Sequence, residues 1–488
     1  MTISPQFHNM ISELLPTQSE QEAFFQAFQQ PLKKSISIMR QRSKDFENKN
    51  PDFILTPTPF HEHHDTKYID REDITIPLGK TWQHLTGQFY IQEVAASLPA
   101  NILKHLKELR TRNNEPLKIL DTCAAPGKTA QTADSLLSNT IPIVRGNDVD
   151  TGRLASRSNN IQRCGLYNTV ATKMDASQIG KFFPEFFDAI LVDAPCSGEG
   201  TGFKSSDAFR RRKEESINKI VLQSSIIDSA LQACKIGGII VYSTCTLNPF
   251  ENEQILRIQK LYGDAIEILP IDVENKSEVA FGSETLDPSN LQLGTKNFLR
   301  ARPHVQHTFF VCLMKKIKSI TNSPTRQLAN SSIHQLPYSY HKQEENMVCN
   351  LLKQSFGIKI NLDRYAIITS KHGYHLTDAS VRELVTQGLR FHECGLPLLK
   401  TTGKTHSPTH ECGLALHLAT HNILELTSDE LQRYCLGEDI VPSKKICNEV
   451  SLQKSGLRGQ VNNYLILTHA GQVVKIVNGT LKNKFFKW

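Results

Sequence analysis

Apolar positions divide the chain into three regimes. From Leu117 onward, short unbroken apolar runs alternate with helix-period stretches, the pattern of a parallel sheet whose strands are buried on both faces and joined by helices. The predicted strands are Leu117 to Leu120, Ile141 to Arg145, Thr169 to Lys173, Ala189 to Asp193, Gly238 to Ser243 and Thr308 to Met314. Ile217, Ile220, Val221, Ile227, Leu231 and Cys234 mark one face of a long helix closed by Gly237-Gly238, and Glu251 onward continues as another helix.

Ahead of this region, Ser19-Glu20-Gln21-Glu22 fits a capping box before Phe24, Phe25 and Phe28, in a helix expected to stop at Pro31. Lys33 to Arg40 alternates as a strand with a basic start, which a solvated edge explains better than phosphate contacts by Lys33, Lys34 or Arg40. Leu85 to Glu93 leads into a helical run through Val94 and Leu98. Behind the sheet, Ser319 to Ser332, rich in Ser, Thr and Asn, reads as a linker. Beyond it the pattern yields only short segments, with strands at Tyr365 to Thr369 and Tyr464 to Thr468.

Composition narrows the setting. A chain of 488 residues points to about three domains at roughly 150 residues each. There is no uncharged run of membrane-spanning length and no charged-then-apolar start, so a soluble cytoplasmic protein is expected. Eleven scattered cysteines fit reduced thiols rather than a disulfide framework. A net charge of +7 permits a polyanionic partner without requiring one.

Candidate chemistry gathers at the strand ends, where the ligand crevice of an open parallel sheet lies. The first strand closes on Asp121-Thr122-Cys123-Ala124-Ala125-Pro126-Gly127-Lys128-Thr129, a turn of small residues that lets a cofactor approach the backbone. Lys128-Thr129 matches the end of a phosphate-binding loop, but the glycine required further back is missing, so a Walker A reading fails. Asp148, Asp175 and Asp193 end three successive strands, which suits the hydroxyls of a nucleoside-bearing ligand. Cys196 and Cys245 stand at the ends of two apolar runs and share the crevice with Asp193. A lone cysteine would be read as a small core residue, whereas two at matching strand ends favour chemistry. Arg153, Arg157 and Arg163 offer a basic helix face, and Lys204 with Arg210 to Lys213 are candidate phosphate contacts.

Other clusters carry less. His61-Glu62-His63-His64 lacks a partner pair at ligand spacing, and the repeated His392-Glu393-Cys394 and His410-Glu411-Cys412 depart from zinc-knuckle spacing, so no metal is expected. Lys475, Lys482, Lys484 and Lys487 with Phe485, Phe486 and Trp488 suit RNA contact, or equally a strand sealing a barrel.

Two long blocks carry a family resemblance. Asp193-Ala194-Pro195-Cys196-Ser197-Gly198-Glu199-Gly200, together with Tyr242-Ser243-Thr244-Cys245-Thr246-Leu247-Asn248-Pro249 and Glu251-Asn252-Glu253, resembles the Nop/Sun family of RNA 5-methylcytosine methyltransferases, most closely its bacterial small-subunit ribosomal branch. Gly87 to Glu93, Cys123 to Thr129 and Leu481-Lys482-Asn483 extend the likeness over nearly the whole chain. The resemblance implies an α/β protein with a Rossmann-like methyltransferase sheet. It implies an N-terminal α+β RNA-binding extension at 1–100, the methyltransferase domain at 101–317, an intermediate domain at 333–392 and a PUA-like β-rich RNA-binding domain at 393–488. It also implies S-adenosylmethionine as cofactor, ribosomal RNA or the small ribosomal subunit as partner, and a monomer. By motif, Cys123, Ala124, Ala125, Pro126, Gly127, Lys128, Thr129, Asp148, Asp175 and Asp193 would hold the cofactor. Cys245 would attack the base, Cys196 would aid release, and Asp193 would assist at the base edge.

One departure stands out: the family turn carries a further small residue before Lys-Thr, whereas here Gly127 meets Lys128 directly. That short turn supports an alternative reading, a catalytically weak ribosome assembly factor retaining the fold. A DNA cytosine methyltransferase ranks last, since those enzymes match the Pro195-Cys196 motif but lack the Thr244-Cys245 block.

Overall fold

The computed structural model describes residues 5–14, 17–27, 33–39, 46–58, 66–71, 74–105, 117–124, 127–135, 143–201, 213–271, 279–281, 298–301, 309–320, 338–386, 391–403, 405–413, 423–443, 464–467, 473–477 and 480–482. At the N-terminal end, β1 (Ser35–Ile38), β2 (Phe53–Thr56), β3 (Thr66–Arg71) and β4 (Phe89–Ile91) form an antiparallel sheet in the order β2-β3-β1-β4. Phe46, Phe53 and Phe89 pack against one another in its core. Helices Pro5–Leu14 and Gln18–Ala27 place Phe7, Ile11 and Phe24 against Leu247, two residues past Cys245.

The middle of the chain forms the expected parallel sheet. β5 (Lys118–Asp121), β6 (Ile143–Asp148), β7 (Thr169–Lys173), β8 (Phe187–Asp193) and β9 (Cys234–Thr244) lie in the order β7-β6-β5-β8-β9. β10 (Ile266–Leu269), β11 (Val279–Phe281), β12 (Phe298–Ala301) and β13 (Phe310–Lys316) continue it with antiparallel pairings beyond β9. Both faces are covered. Ile119, Ala189, Leu191, Ile239 and Val241 pack on one side, and Leu120, Ile190, Val192, Ile240 and Tyr242 on the other. This two-sided burial is why the strands read as unbroken apolar runs, each large side chain contributing about 1.5–3 kcal/mol of burial. Strand order reverses between β5 and β8, so the crevice opens beyond their carboxyl ends.

Past the central sheet, β14 (Tyr338–Ser339), β15 (Tyr365–Ser370), β16 (Gly373–Asp378), β18 (Leu396–Thr402) and β19 (Thr405–Pro408) form an antiparallel sheet backed by the helix Lys342–Phe356. Between them, β17 (Glu393–Cys394) leaves this sheet and pairs with Val170 and Ala171 of β7, covering that edge of the central sheet. The domain change expected at 392/393 therefore falls inside a five-stranded sheet that runs from Tyr338 to Pro408. A last sheet of β20 (Ile423–Leu424), β21 (Tyr464–Leu467), β22 (Val473–Val477) and β23 (Thr480–Lys482) follows. Its neighbouring helix, Ser428–Cys435, returns to the N-terminal layer, where Leu431 and Tyr434 pack with Leu85 and Trp82. Gln432 receives the Trp82 N–H at 2.8 Å and donates to the Lys80 carbonyl at 3.0 Å. Among the described residues, no helix is long and apolar enough to cross a membrane.

Candidate active site

The two cysteines singled out by pattern meet in space. β8 and β9 are parallel neighbours with Asp193 opposite Ser243, so the loops that follow them leave the sheet side by side. Cys196 Sγ and Cys245 Sγ lie 3.2 Å apart, and the Cys245 backbone N–H donates to Cys196 Sγ at 3.3 Å. Both are half-buried free thiols. The hydrogen bond with Cys245, followed by burial, holds the Cys196 thiol well above its ordinary range.

Three further contacts latch the loops together. The Gly200 N–H donates to the Cys245 carbonyl at 2.9 Å, and the Ala194 N–H donates to the Ser243 carbonyl at 3.1 Å. The Thr246 hydroxyl donates to Glu199. Gly198 adopts φ 75°, a left-handed conformation that glycine enters without steric cost and that turns the chain back after Cys196. Asp193, half-buried at the end of β8, receives the Ser243 hydroxyl at 3.0 Å, which fixes one carboxylate oxygen at the carboxyl end of that strand.

The loop after β5 forms the neighbouring wall. Asp121, wholly buried, accepts the Thr129 hydroxyl at 2.7 Å, so the strand end is tied to the first turn of the helix Lys128–Ser135. The Ala124 N–H donates to the Asn147 carbonyl at 2.8 Å. Gly127 is pressed against Tyr90, whose hydroxyl stands 1.8 Å from where a Cβ would be. Cys123 is a third thiol here, and burial pushes it up to about 12, which leaves it a poor nucleophile. Ala125, Pro126 and the Lys128 side chain lie outside the described residues.

Asp148, nearly buried at the end of β6, accepts the Asp150 N–H at 3.0 Å and pairs with Arg153 at 3.3 Å. Asp175 is exposed at the end of β7 and caps the short turn Ala176–Gln178 through the Ser177 N–H at 2.9 Å. A turn of small residues with room only for glycine, flanked by strand-end acids, fits a nucleoside cofactor approached by backbone.

The expected basic helix face is corrected. Arg157 is 1% exposed and pairs with Glu393 at 3.4 Å, while Arg163 donates to the His84 and Phe89 carbonyls at 2.5 and 3.2 Å. Only Arg153 faces solvent among the three. Lys204, Arg210 to Arg212, the Lys213 side chain, Arg40, His61 to His64 and the residues after 482 lie outside the described residues. Lys33 is exposed, with its ammonium 5.5 Å from the centre of the Tyr68 ring. Cys394 and Cys412 are buried in different apolar clusters, and among the described residues no group of three metal-ligating side chains converges.

Polar residues unremarked by pattern complete the site. Asn147 donates to the Thr122 and Met174 carbonyls and accepts the Thr172 hydroxyl, joining three strand ends. Glu251 and Gln223 brace the Cys196 turn. Asp121 was visible as a fourth strand-end acid, and Glu251 lies within the family-like block. Asn147 had no signal beyond its place next to Asp148.

Known proteins bear on this arrangement directly. Residues 107–315 match the family described as 16S rRNA methyltransferase RsmB/F. The chain is 32% identical over 445 residues to ribosomal RNA small subunit methyltransferase F of Salmonella agona, covering 89% of this chain and 88% of that protein. The chain belongs to this family. The protein of the same name from Escherichia coli O157:H7 is likewise 32% identical over 89% of the chain and 88% of its own length. NSun6 from Pyrococcus horikoshii superposes with a TM-score of 0.51 at 18% identity, covering 65% of this chain and 99% of that one, which shows the shared methyltransferase fold. As a member of the RsmB/F family, the protein is an S-adenosylmethionine-dependent rRNA methyltransferase.

Proposed function

We propose that the protein methylates carbon 5 of a cytidine in 16S ribosomal RNA through a covalent cysteine-cytosine intermediate. The observation that carries this reading is the 3.2 Å approach of Cys196 and Cys245 at adjoining strand ends. Carbon 5 of cytosine is too weak a nucleophile to take a methyl group unaided. A thiolate adding at carbon 6 makes the ring enamine-like. The loop after β5 with Asp148, Asp175 and Asp193 would hold S-adenosylmethionine, which would supply the electrophilic methyl.

Cys245 is the nucleophile in this reading. Its neighbour retains a proton because the Cys196 thiol is raised, first by its hydrogen bond with Cys245 and then by burial. Cys196, 3.2 Å from the attacking sulfur, assists loss of the carbon 5 proton and elimination of Cys245. Asp193, oriented by Ser243, hydrogen-bonds the base edge and stabilises charge developing on the ring. The base must be unstacked to reach this crevice, so a single-stranded or flipped cytidine is the substrate.

The flanking parts serve the RNA. The N-terminal helices Pro5–Leu14 and Gln18–Ala27 reach Leu247 beside the Cys245 loop, and residues 393–488 serve in this reading as a PUA-like RNA-binding module. Substitution separates the two cysteines: Cys245→Ala abolishes methylation, and Cys196→Ala accumulates a denaturation-resistant RNA adduct. An adduct formed by the Cys245 variant instead would exchange the roles.

A further inference from the structure

The turn that carries Cys196 is held from outside the two cysteine loops. Glu251, on the short helix Pro249–Asn252, is wholly buried and aims its carboxylate back at that turn. Glu251 Oε2 accepts the Ser197 backbone N–H at 3.0 Å and Gln223 Nε2 at 2.8 Å. Oε1 accepts the Ser197 hydroxyl and Asn248 Nδ2, the latter at 3.2 Å. Gln223 Nε2 also donates to the Pro195 carbonyl at 3.1 Å. The backbone groups on either side of Cys196, the Pro195 carbonyl and the Ser197 N–H, are thus both fixed through one carboxylate. The helix under Glu251 is itself pinned, since Tyr242 on β9 donates to the Glu251 carbonyl at 2.8 Å and Asn248 caps its start. A chain of contacts runs from β9 through Glu251 to both backbone groups flanking Cys196, whereas toward the Cys245 loop the carboxylate reaches only Asn248, three residues past Cys245.

The geometry points to Glu251 as a positioning residue for Cys196, setting the turn that aims the second thiol at the covalent intermediate and so governing release of methylated RNA rather than attack. This inference rests on the proposed division of labour between the cysteines. A carboxylate suits the task because all four groups facing it are donors. An amide in its place turns one oxygen into a donor that meets another donor, so Glu251→Gln keeps the volume and breaks the bracing.

The test uses the full-length protein with 16S ribosomal RNA and labelled S-adenosylmethionine. Glu251→Gln is expected to keep single-turnover methyl transfer within about threefold of wild type while steady-state turnover falls by about tenfold or more, with the RNA adduct accumulating as it does for Cys196→Ala. Gln223→Met, which removes the bridge to Pro195 and one of the four donors to Glu251, is expected to show the same split more weakly and guards against a folding defect. The decisive readout is the double variant: in a Cys196→Ala background, Glu251→Gln is expected to change adduct lifetime by less than about twofold, because its effect passes through the missing thiol. Equal loss of single-turnover and steady-state rates, or an additive effect in the double variant, overturns the inference. If Cys196→Ala itself forms no adduct, the cysteine roles fall first. If it does and Glu251→Gln with native cofactor affinity does not, the inference falls alone.

Discussion

The Tyr90 hydroxyl fills the space in front of Gly127, 1.8 Å from the position a Cβ would take. Tyr90 belongs to β4 of the N-terminal sheet, whereas Gly127 lies in the turn after β5 of the methyltransferase sheet. The contact makes the N-terminal layer part of the wall around the turn proposed to hold the cofactor.

Gly127→Ala therefore forces Tyr90 or the turn to move. The expected result is weaker S-adenosylmethionine binding by about tenfold, equivalent to about 1.4 kcal/mol, measured by calorimetry. Tyr90→Ala in the same chain removes the obstructing ring and is expected to recover part of that loss. If Gly127→Ala binds cofactor normally, the turn after β5 does not hold it in this register.

Asn147 makes a different prediction, about the frame of the crevice. Its amide satisfies two carbonyls, Thr122 at 3.1 Å and Met174 at 2.9 Å, on the loops after β5 and β7. Asn147→Ala leaves buried carbonyls without that donor and is expected to cost about 1–3 kcal/mol of stability, read by denaturant unfolding. Asn147→Asp places an acceptor against the same carbonyls and is expected to be worse than alanine. Equal stability of wild type and both variants would mean that the three strand ends are held by their ladders alone.

These two residues mark where the sequence was legible and where it was not. The parallel strands were readable because both faces are buried, so Ile190 to Val192 and Ile239 to Tyr242 appear as unbroken apolar runs. The thiol pair was readable because both cysteines end such runs. Asn147, Glu251 and Tyr90 act through partners on other strands or loops, and a polar residue whose partner is remote in sequence leaves no period behind. β17 was invisible for another reason, since a two-residue strand is too short to alternate. Its consequence is the correction at Arg157, whose partner Glu393 comes from that strand, 236 positions away.

The Arg157–Glu393 pair carries a third prediction. Arg157 is buried against Gly146, with its Nε 2.2 Å from where a Cβ on that glycine would lie, and also donates to the Val170 carbonyl at 3.3 Å. Glu393 further accepts the Ser158 hydroxyl and Gln162 Nε2 at 2.5 and 3.2 Å. Removing one partner leaves the other charge poorly compensated, so Arg157→Met is expected to destabilise the protein by about 3–5 kcal/mol. In Arg157→Met/Glu393→Gln the loss is expected to be smaller than in Arg157→Met alone. Additive losses in a double-mutant cycle would mean that β17 is held by its backbone pairing and not by this ion pair.

Acid sensitivity follows from His84. Its Nδ1 is buried with no hydrogen-bond partner, and burial, then the nearby Arg163 guanidinium, pushes the ring down to about 3. The unfolded chain takes up a proton near the ordinary value of 6.5, whereas the folded chain does not. Between those values the unfolded state binds more protons, so stability rises with pH there. The contribution is level above pH 6.5 and is lost as pH falls toward 3. His375, pushed down to about 4 by burial and by His372, acts in the same direction. The melting temperature is thus expected to drop when buffer pH is lowered from 7.5 to about 5. His84→Phe keeps a ring against Phe89, whose centroid is 5.4 Å from the imidazole, and removes the titration. That variant is expected to lose less melting temperature over the same pH interval than wild type, with His375 accounting for part of the remainder. A drop as large as that of wild type would show that His84 already protonates in the folded state, which its enclosure between Arg163 and Phe89 opposes.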